Sequence, residues 1–358
     1  MSEIAAIRRA FLEEEKAGRP AALATLVRTR GSSYRRKGAR ALIKADGSLV
    51  GGISGGCLEQ DVALRAGEAL EQGRPLLAFY DTGADDDRLF GLNIGCGGQL
   101  EVLVEPLEGE LAELIGHLAE LEAERRRAAL ATVLVPADCL GQRLLVGEAG
   151  EVLRSTIVDR DLEATVMAAV RGHEIPAEVE LFVEDLAPPP ALLLFGSGFD
   201  VEPLILFGRA LGFEVAVIDV RGSEAALSRF SAADRRVAAQ GAAAAIGQLG
   251  GLLDRHAAAL VMNHHYDNDR DLVRALLATP VGYLGLLGPQ SRGRRLLGEL
   301  KDEDPSLATE RVFSPVGLDL GADTPEKVAL SILAEILAVL AGRQGGFLKE
   351  RSAPIHSA

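Results

Sequence analysis

Aromatic and sulfur-containing residues are scarce in this chain of 358 residues. It has no tryptophan, its aromatic content is 4%, and it contains three cysteines and three methionines. Proteins that bind single-stranded nucleic acid stack its bases on exposed aromatic side chains, so this class is disfavoured. A small, odd number of cysteines gives no basis for a disulfide framework and is typical of a cytoplasmic protein.

Positive charge and long apolar runs are also lacking. The 38 basic residues are outnumbered by 52 acidic ones, and the resulting net charge of −14 repels nucleic-acid phosphates and anionic membranes. The apolar stretch Val328–Leu340 contains Ser331 and Glu335 and is too short to span a bilayer. We therefore predict a cytoplasmic protein that binds no nucleic acid and has no membrane span.

Strand-like and helix-like segments predict two α/β domains. Three prolines at 188–190 cannot continue a helix or a central strand, which predicts a linker over residues 187–191. Residues 1–186 form a mixed α/β domain with helices expected at Leu111–Arg127 and Thr156–Arg171. Residues 192–345 alternate strand and helix, which predicts a Rossmann-like parallel sheet, and residues 346–358 form a tail.

One possible internal echo is found in the first domain. Gly-Gly-Cys-Leu-Glu at 55–59 is similar to Gly-Gly-Gln-Leu-Glu at 97–101. This similarity is too short to establish a duplication.

A glycine-rich turn opens the second domain. Gly196 and Gly198 follow the predicted strand Ala191–Phe195 and precede a helix, so the backbone can approach a pyrophosphate. Asp219 ends the next strand, where a carboxylate can accept hydrogen bonds from a ribose. Val201 replaces the third glycine of the dinucleotide fingerprint, and a turn that binds no nucleotide is the alternative.

Polar residues follow the other predicted strands of this sheet. His264 follows one strand and Gly288 another, and carboxyl ends of parallel strands form ligand crevices. We expect His264 to face the crevice, with a structural role for it and His265 as the alternative. Arg221 either pairs with a phosphate or faces solvent.

A basic segment stands out in the acidic first domain. Residues 28–40 contain six basic residues, and the hydroxyls of Ser32 and Ser33 with the guanidinium of Arg35 suit an anionic ligand. A solvated surface loop is the alternative.

Two cysteines lie within glycine-rich loops of the first domain. Gly55 and Gly56 leave the Cys57 thiol accessible, and a helix predicted to begin beside it would lower the thiol pKa. Cys96 has similar neighbours. A zinc site is not expected, because residues 1–116 contain no CxxC pair and no histidine. Burial as small apolar side chains is the alternative for both cysteines.

These segments together resemble the XdhC/CoxI family, the maturation factors of xanthine dehydrogenase and carbon monoxide dehydrogenase. The similarity covers nearly the whole chain, and its most specific parts are Gly-Gly-Cys-Leu-Glu at 55–59 and Gly-Cys-Gly-Gly at 95–98. Phe199 departs from the pattern, because members of the family often have histidine there.

The resemblance implies a cofactor-binding chaperone rather than a turnover enzyme. Its cargo would be molybdenum cofactor, as molybdopterin or its cytosine dinucleotide form. The protein would assist sulfuration of the cofactor and its insertion into a molybdenum hydroxylase apo-enzyme of the xanthine dehydrogenase or CO dehydrogenase type. A cysteine desulfurase and a second copy of the chain are the further expected partners, and a nucleotide could occupy the Rossmann-like domain.

The residues expected to bind the cofactor follow from these motifs. They are Ser32, Ser33, Arg35, Gly55, Gly56, Cys57, Glu59, Cys96, Gly196, Gly198, Asp219, Arg221, His264 and Gly288. Cys57 and Cys96 are the candidate thiols for sulfur and for the molybdenum of the bound cofactor.

Two other functions stay open on the sequence. One is an NAD(P)-dependent oxidoreductase that uses the Rossmann-like domain with His264 as acid or base. The other is an adaptor that docks the dehydrogenase without binding its cofactor.

Overall fold

Two antiparallel sheets form the amino-terminal part of the protein. The computed structural model describes residues 2–31, 33–56, 58–81 and 98–350, which divide into two compact units after Pro188. The first unit contains helices α1 to α4 and strands β1 to β9. Its helices are α1 (Glu3–Lys16), α2 (Glu59–Gln72), α3 (Gly109–Ala123) and α4 (Arg160–Val170). Its strands are β1 (Ala21–Gly31), β2 (Arg40–Lys44), β3 (Leu49–Gly51), β4 (Leu76–Asp81), β5 (Gly98–Pro106), β6 (Ala128–Val135), β7 (Arg143–Gly147), β8 (Val152–Ser155) and β9 (Glu180–Leu186).

Local capping sets the helix ends, and it corrects two sequence predictions. The Asp159 carboxylate accepts hydrogen bonds from the amides of Asp161 and Leu162, so α4 begins at Arg160 and not at Thr156. Helix α3 ends at Ala123 and not at Arg127. Arg125 has a φ of 55°, a left-handed conformation that cannot continue the helix.

The two sheets of the first unit are copies of one motif. Their strand orders are β3-β2-β1-β5-β4 and β8-β7-β6-β9, so β1 and β6 hold equivalent central places. Both strands begin with Ala-Ala-Leu-Ala-Thr, at residues 21–25 and 128–132. Thr25 pairs with Arg40 across β1 and β2, as Thr132 pairs with Arg143 across β6 and β7. We name residues 2–106 the first repeat and residues 108–186 the second repeat.

The short sequence echo at 55–59 and 97–101 is a different matter, and it does not mark this repeat. Glu59 begins helix α2, whereas Leu100 and Glu101 lie within strand β5. The described residues of the two segments therefore differ in conformation.

The second unit contains a parallel sheet between two helical layers. Its elements are β10 (Ala191–Phe195), α5 (Val201–Ala210), β11 (Glu214–Asp219), α6 (Glu224–Leu227), β12 (Arg235–Ala238), α7 (Ala242–Leu249), β13 (Ala258–Val261), α8 (Tyr266–Leu277), β14 (Tyr283–Leu286), α9 (Gln290–Glu303), β15 (Val312–Phe313) and α10 (Pro325–Leu340). Helices α5, α6 and α10 cover one face of the sheet, and α7, α8 and α9 cover the other.

The strand order of this sheet is that of a dinucleotide-binding fold. It runs β12-β11-β10-β13-β14-β15 with every pair parallel, which is the Rossmann order. The order reverses between β10 and β13, and ligands bind outside the carboxyl ends of the strands at such a point. The predicted fold class, a mixed α/β domain followed by a Rossmann-like domain, is confirmed.

The described helices and the described metal-ligating side chains do not meet what a membrane span and a three-ligand metal site require. None of the described helices is long and apolar enough to cross a membrane. Within the ranges that the structure covers, no group of three or more His, Cys, Asp or Glu side chains could hold a metal ion.

Candidate functional site

The glycine-rich turn after β10 lies against the end of β13. A Cβ atom at position 196 would stand 2.7 Å from the carbonyl oxygen of Met262 and 2.8 Å from its Cγ. Only glycine fits there, because those distances are shorter than a carbon atom tolerates. Gly196 thus lets the turn and β13 approach each other at the point where the strand order reverses.

His264 lies over the same turn. Its Nε2 atom is 3.6 Å from where a Cβ on Gly198 would stand. Its φ is 60°, a left-handed conformation that is uncommon for residues other than glycine. Such strained backbone persists where the surroundings hold it, and it is often found at functional sites.

Asp219 at the end of β11 is buried, and both of its carboxylate oxygens are hydrogen-bonded. Oδ1 accepts from the amides of Arg221 (2.9 Å) and Ser223 (3.3 Å), and Oδ2 accepts from the Arg221 guanidinium (2.8 Å) and from Ser197 Oγ (3.1 Å). Burial opposes ionisation of the Asp219 carboxyl, but these hydrogen bonds together lower its pKa.

This arrangement differs from an open ribose site. Four donors occupy the buried carboxylate of Asp219, and the side chain of Arg221 that pairs with it is 61% exposed. A ligand that approaches this strand end therefore meets the guanidinium of Arg221 before it meets Asp219.

A second arginine, Arg229, also binds the turn. The Arg229 guanidinium donates to the carbonyl oxygens of Ser197 and Gly198, each at 2.6 Å. It also lies 5.0 Å from the ring centroid of the exposed Phe199 and 4.6 Å from that of Phe230. Sequence reasoning missed Arg229, because no spacing pattern connects it to the turn.

Asp269 anchors the next strand end. It is fully buried, and its carboxylate accepts from the amide and side chain of Asn263, each at 3.3 Å, and from Arg292 at 2.5 Å. Arg292 in turn covers Gly288, since its Nη1 is 3.4 Å from where a Cβ there would stand. An acid among the apolar positions of α8 was the signal for Asp269 that sequence reasoning did not use.

Half of the basic segment in the first unit is engaged within the protein. Arg35 forms an ion pair with Glu3, and Ser33 Oγ donates to the carbonyl oxygen of Arg35 at 2.6 Å. Arg28 and Arg40 also pair with carboxylates. Three exposed residues of the segment have no carboxylate partner among the described residues. They are Arg30, Arg36 and Lys37.

The loop before α2 is organised by Glu59. One carboxylate oxygen accepts from the Ser54 amide at 2.9 Å, and the other accepts from Ser54 Oγ at 2.6 Å and the Leu58 amide at 3.1 Å. Burial of this carboxyl opposes ionisation, but the hydrogen bonds from Ser54 and Leu58 together lower the pKa of Glu59. The carboxylate is therefore used to hold the loop.

The two motif loops of the first unit contact each other. A Cβ on Gly55 would lie 3.5 Å from the nearest ring atom of Tyr34, which is an ordinary van der Waals distance, so the Tyr34 ring lies against this loop. Sequence reasoning missed Tyr34, whose ring is otherwise largely exposed. The predicted site residues Ser32, Cys57 and Cys96 lie outside the described residues.

Comparison with known proteins places these sites in a family. The sequence model of the XdhC and CoxI family matches residues 15–81, and that of the XdhC Rossmann domain matches residues 192–336. A probable xanthine dehydrogenase subunit of Bacillus subtilis is 32% identical over 92% of this chain and 94% of its own length. The chain belongs to the XdhC and CoxI family.

Two further relatives agree with this membership. The molybdenum cofactor insertion chaperone PaoD of Escherichia coli is 23% identical over 93% of this chain and 87% of its own length. A crystal structure of a xanthine dehydrogenase from Bacillus halodurans matches with a TM-score of 0.78 at 27% identity, covering 97% of this XdhC/CoxI-family chain and 98% of its own.

Proposed function

We propose that this protein is a maturation factor that binds molybdenum cofactor and assists its insertion into a molybdenum hydroxylase of the xanthine dehydrogenase type. The observation that carries the proposal is the contact of the two motif loops, in which Tyr34 covers Gly55. Relatives of the whole chain are named for xanthine dehydrogenase and for molybdenum cofactor insertion. The cofactor is the cargo of the protein in this proposal.

The described residues around these loops suit such a cargo. A pterin phosphate needs cationic or amide donors. Arg30, Arg36 and Lys37 are exposed and have no carboxylate partner in the described ranges, so their charges are available to an anion. The loop that Glu59 holds brings Gly55 against Tyr34, which belongs to the same basic segment. Ser33 and Arg35 would position the basic loop, since both are bonded within the protein.

The finer parts of the proposal concern sulfur and partners. Cys57 and Cys96 are the candidate thiols that would contact the cargo or pass sulfur to it. We propose a cysteine desulfurase and a second copy of the chain as partners beside the hydroxylase, and a cytoplasmic location. Molybdopterin and its cytosine dinucleotide form are both candidates for the cargo.

We propose that the Rossmann unit by itself binds a nucleotide. Gly196 and Gly198 lie in the turn at the strand-order reversal, and His264 lies over it. Dinucleotides bind at this place in the fold. Arg221 would meet a phosphate. This strand order also favours a second candidate function, a nicotinamide-dependent oxidoreductase with His264 as acid or base.

The test is cofactor binding by purified protein. Protein would be isolated without oxygen from cells that make molybdenum cofactor, and native mass spectrometry would be combined with molybdenum analysis. We expect a pterin-sized adduct with molybdenum in the wild type. The triple variant Arg30→Gln/Arg36→Gln/Lys37→Gln should lose most of it, and so should Cys57→Ala/Cys96→Ala.

A charge-matched variant controls for the loss of three positive charges. Arg9→Gln/Lys16→Gln/Arg171→Gln removes three cations outside residues 28–40 and should retain the adduct. Equal retention by both triple variants would contradict the role of the basic segment. A nicotinamide adduct without molybdenum, together with turnover of NAD(P)H, would favour the oxidoreductase.

A further inference from the structure

The two repeats of the first unit bind each other through exchanged ion pairs. Arg40 of the first repeat pairs with Glu184 of the second, and Arg143 of the second pairs with Glu105 of the first. The two glutamates hold equivalent positions, because Glu105 is the register partner of Leu23 across β1 and β5, as Glu184 is of Leu130 across β6 and β9. An interface in which equivalent residues meet in both directions has approximate two-fold symmetry.

The connection between the first two strands breaks this symmetry. It spans residues 27–38 in the first repeat and residues 134–141 in the second, between equivalent backbone hydrogen bonds. The first connection, with twelve residues against eight, carries Arg35. Arg35 forms its ion pair with Glu3 at the start of α1.

Glu110 occupies the place of Glu3 in the second repeat, but it has different surroundings. Glu3 accepts a hydrogen bond from the Arg40 amide at 2.9 Å in addition to the Arg35 ion pair. The equivalent amide of Arg143 donates instead to Thr156 Oγ1 at 2.7 Å. Within the described ranges, Glu110 is exposed and has no hydrogen bond or ion pair of its side chain.

A cavity of about 430 Å³ opens beside Glu110. Its lining includes Glu105, Glu108, Gln142, Arg143 and Thr156. The volume falls in the range of ligand sites and exceeds what a few water molecules need. The shorter connection of the second repeat, residues 134–141, contains no arginine and so supplies no counterpart of Arg35 beside this cavity.

The cavity offers acceptors that lack donors. The carboxylates of Glu108 and Glu110 line the cavity and have no cationic partner in the described ranges. Arg143 is neutralised by Glu105, and Arg74 at this site is exposed and donates to Gln72 at 2.9 Å. The vacant acceptors suit a group that only donates, as a guanidinium does.

We propose that this cavity binds an arginine side chain of a partner polypeptide. The first repeat supplies the template, since its own Arg35 forms the same contact with Glu3. The occupant there is a chain segment and not a free amino acid, and we therefore assign the site to a polypeptide. This site is separate from the motif loops, so it does not depend on the function proposed above.

Binding of small guanidinium probes tests the proposal. N-acetyl-arginine N-methylamide would be titrated into the full chain, with amide chemical shifts of residues 105–114 and 140–143 as the readout. We expect saturable binding in the millimolar range and roughly tenfold weaker binding by Glu110→Gln. The exposed Glu13→Gln on α1 is the matched control and should bind as the wild type does.

Three outcomes would overturn the proposal. Absence of saturable shifts up to about 50 mM probe would exclude the site. Equal affinity for the corresponding lysine probe would exclude guanidinium recognition. Tighter binding of free L-arginine than of the blocked probe would assign the cavity to a small metabolite and not to a polypeptide.

Discussion

At the scale of single residues, Glu59 shows how a motif can act through loop structure. Its carboxylate joins Ser54 to Leu58 and thereby fixes the two sides of the segment that contains Gly55 and Gly56. The motif alone indicates Glu59 as a cofactor-binding candidate. The hydrogen bonds give it a positioning role that can be tested by pH.

We expect the loop at 54–58 to lose order in acid. Hydrogen bonds lower the folded-state pKa of Glu59 below its ordinary value of 4.5. Stabilisation by this carboxylate is therefore complete above about pH 4.5 and is lost as pH falls through the lower folded-state pKa. Amide shifts of Ser54 and Leu58 should report that titration, and Glu59→Gln should abolish it. Titration of those amides at the ordinary pKa would contradict the prediction.

His264 allows a second test at this scale. Its φ of 60° strains a residue that has a Cβ, and glycine relieves that strain. We predict that His264→Gly is more stable than His264→Ala by about 1 kcal/mol, although both variants lose the imidazole. Urea unfolding followed by circular dichroism measures the difference. A more stable alanine variant would show that the backbone at this position is not strained.

The sequence pattern identified some site residues and not others. Gly196, Asp219 and His264 lie at or just after the carboxyl ends of strands in a regular alternation, and their placement near one another could be predicted from topology. Arg229 and Tyr34 could not, because their contacts join segments whose relative positions are set by tertiary packing. Cys57 and Cys96 remain predictions.

At the scale of elements, the glycine turn and helix α7 show opposite roles of glycine. We predict that Gly196→Ala lowers the free energy of unfolding by about 2 to 4 kcal/mol, because its Cβ would meet the Met262 carbonyl at 2.7 Å. Gly247 in α7 has no neighbour within 4 Å of an added Cβ, so Gly247→Ala should raise stability by about 0.5 to 1 kcal/mol. Thermal unfolding of the two variants would measure both effects. Equal effects of the same sign would contradict the close approach at the turn.

Short edge strands were among the elements that sequence analysis did not identify. Strand β12 begins with two exposed arginines, and β15 has two residues. Neither gives the apolar run that identified β10 and β11, because an edge strand buries less of its surface. The central strands of the second unit, by contrast, are buried on both faces and were predicted from their apolar runs.

At the scale of the whole first unit, the exchanged ion pairs should contribute equally. Glu105→Gln and Glu184→Gln each leave a buried arginine unpaired, and we expect each to cost about 3 to 5 kcal/mol of unfolding free energy. Glu180→Gln breaks the ion pair between Arg28 and the Glu180 carboxylate, which is 48% exposed. This substitution should lower the unfolding free energy by less than about 1 kcal/mol. Hydrogen exchange of the β1 and β6 amides would measure the unfolding free energy of the first unit in each variant. A loss for Glu105→Gln as small as that for Glu180→Gln would contradict the prediction.

The repeat itself is visible in the sequence, although composition and motif spacing did not identify it. Identical Ala-Ala-Leu-Ala-Thr segments begin β1 and β6, but five common residues carry little weight without the register of the strands. The pairing of Thr25 with Arg40 and of Thr132 with Arg143 supplies that register. The exchanged ion pairs of Arg40 with Glu184 and of Arg143 with Glu105 then show that the similarity of the two repeats extends through the unit.

The exchanged ion pairs of the two repeats also bear on how the sequences of the repeats can diverge. In a dimer of identical protomers, every substitution appears twice, so both copies of a loop must lengthen or shorten together. Joining the copies in one polypeptide removes that constraint. One copy can then acquire long, glycine-rich loops while the other keeps a short connection beside an open cavity. The unequal connections at 27–38 and 134–141 are such a divergence, maintained across an interface whose ion pairs have remained equivalent.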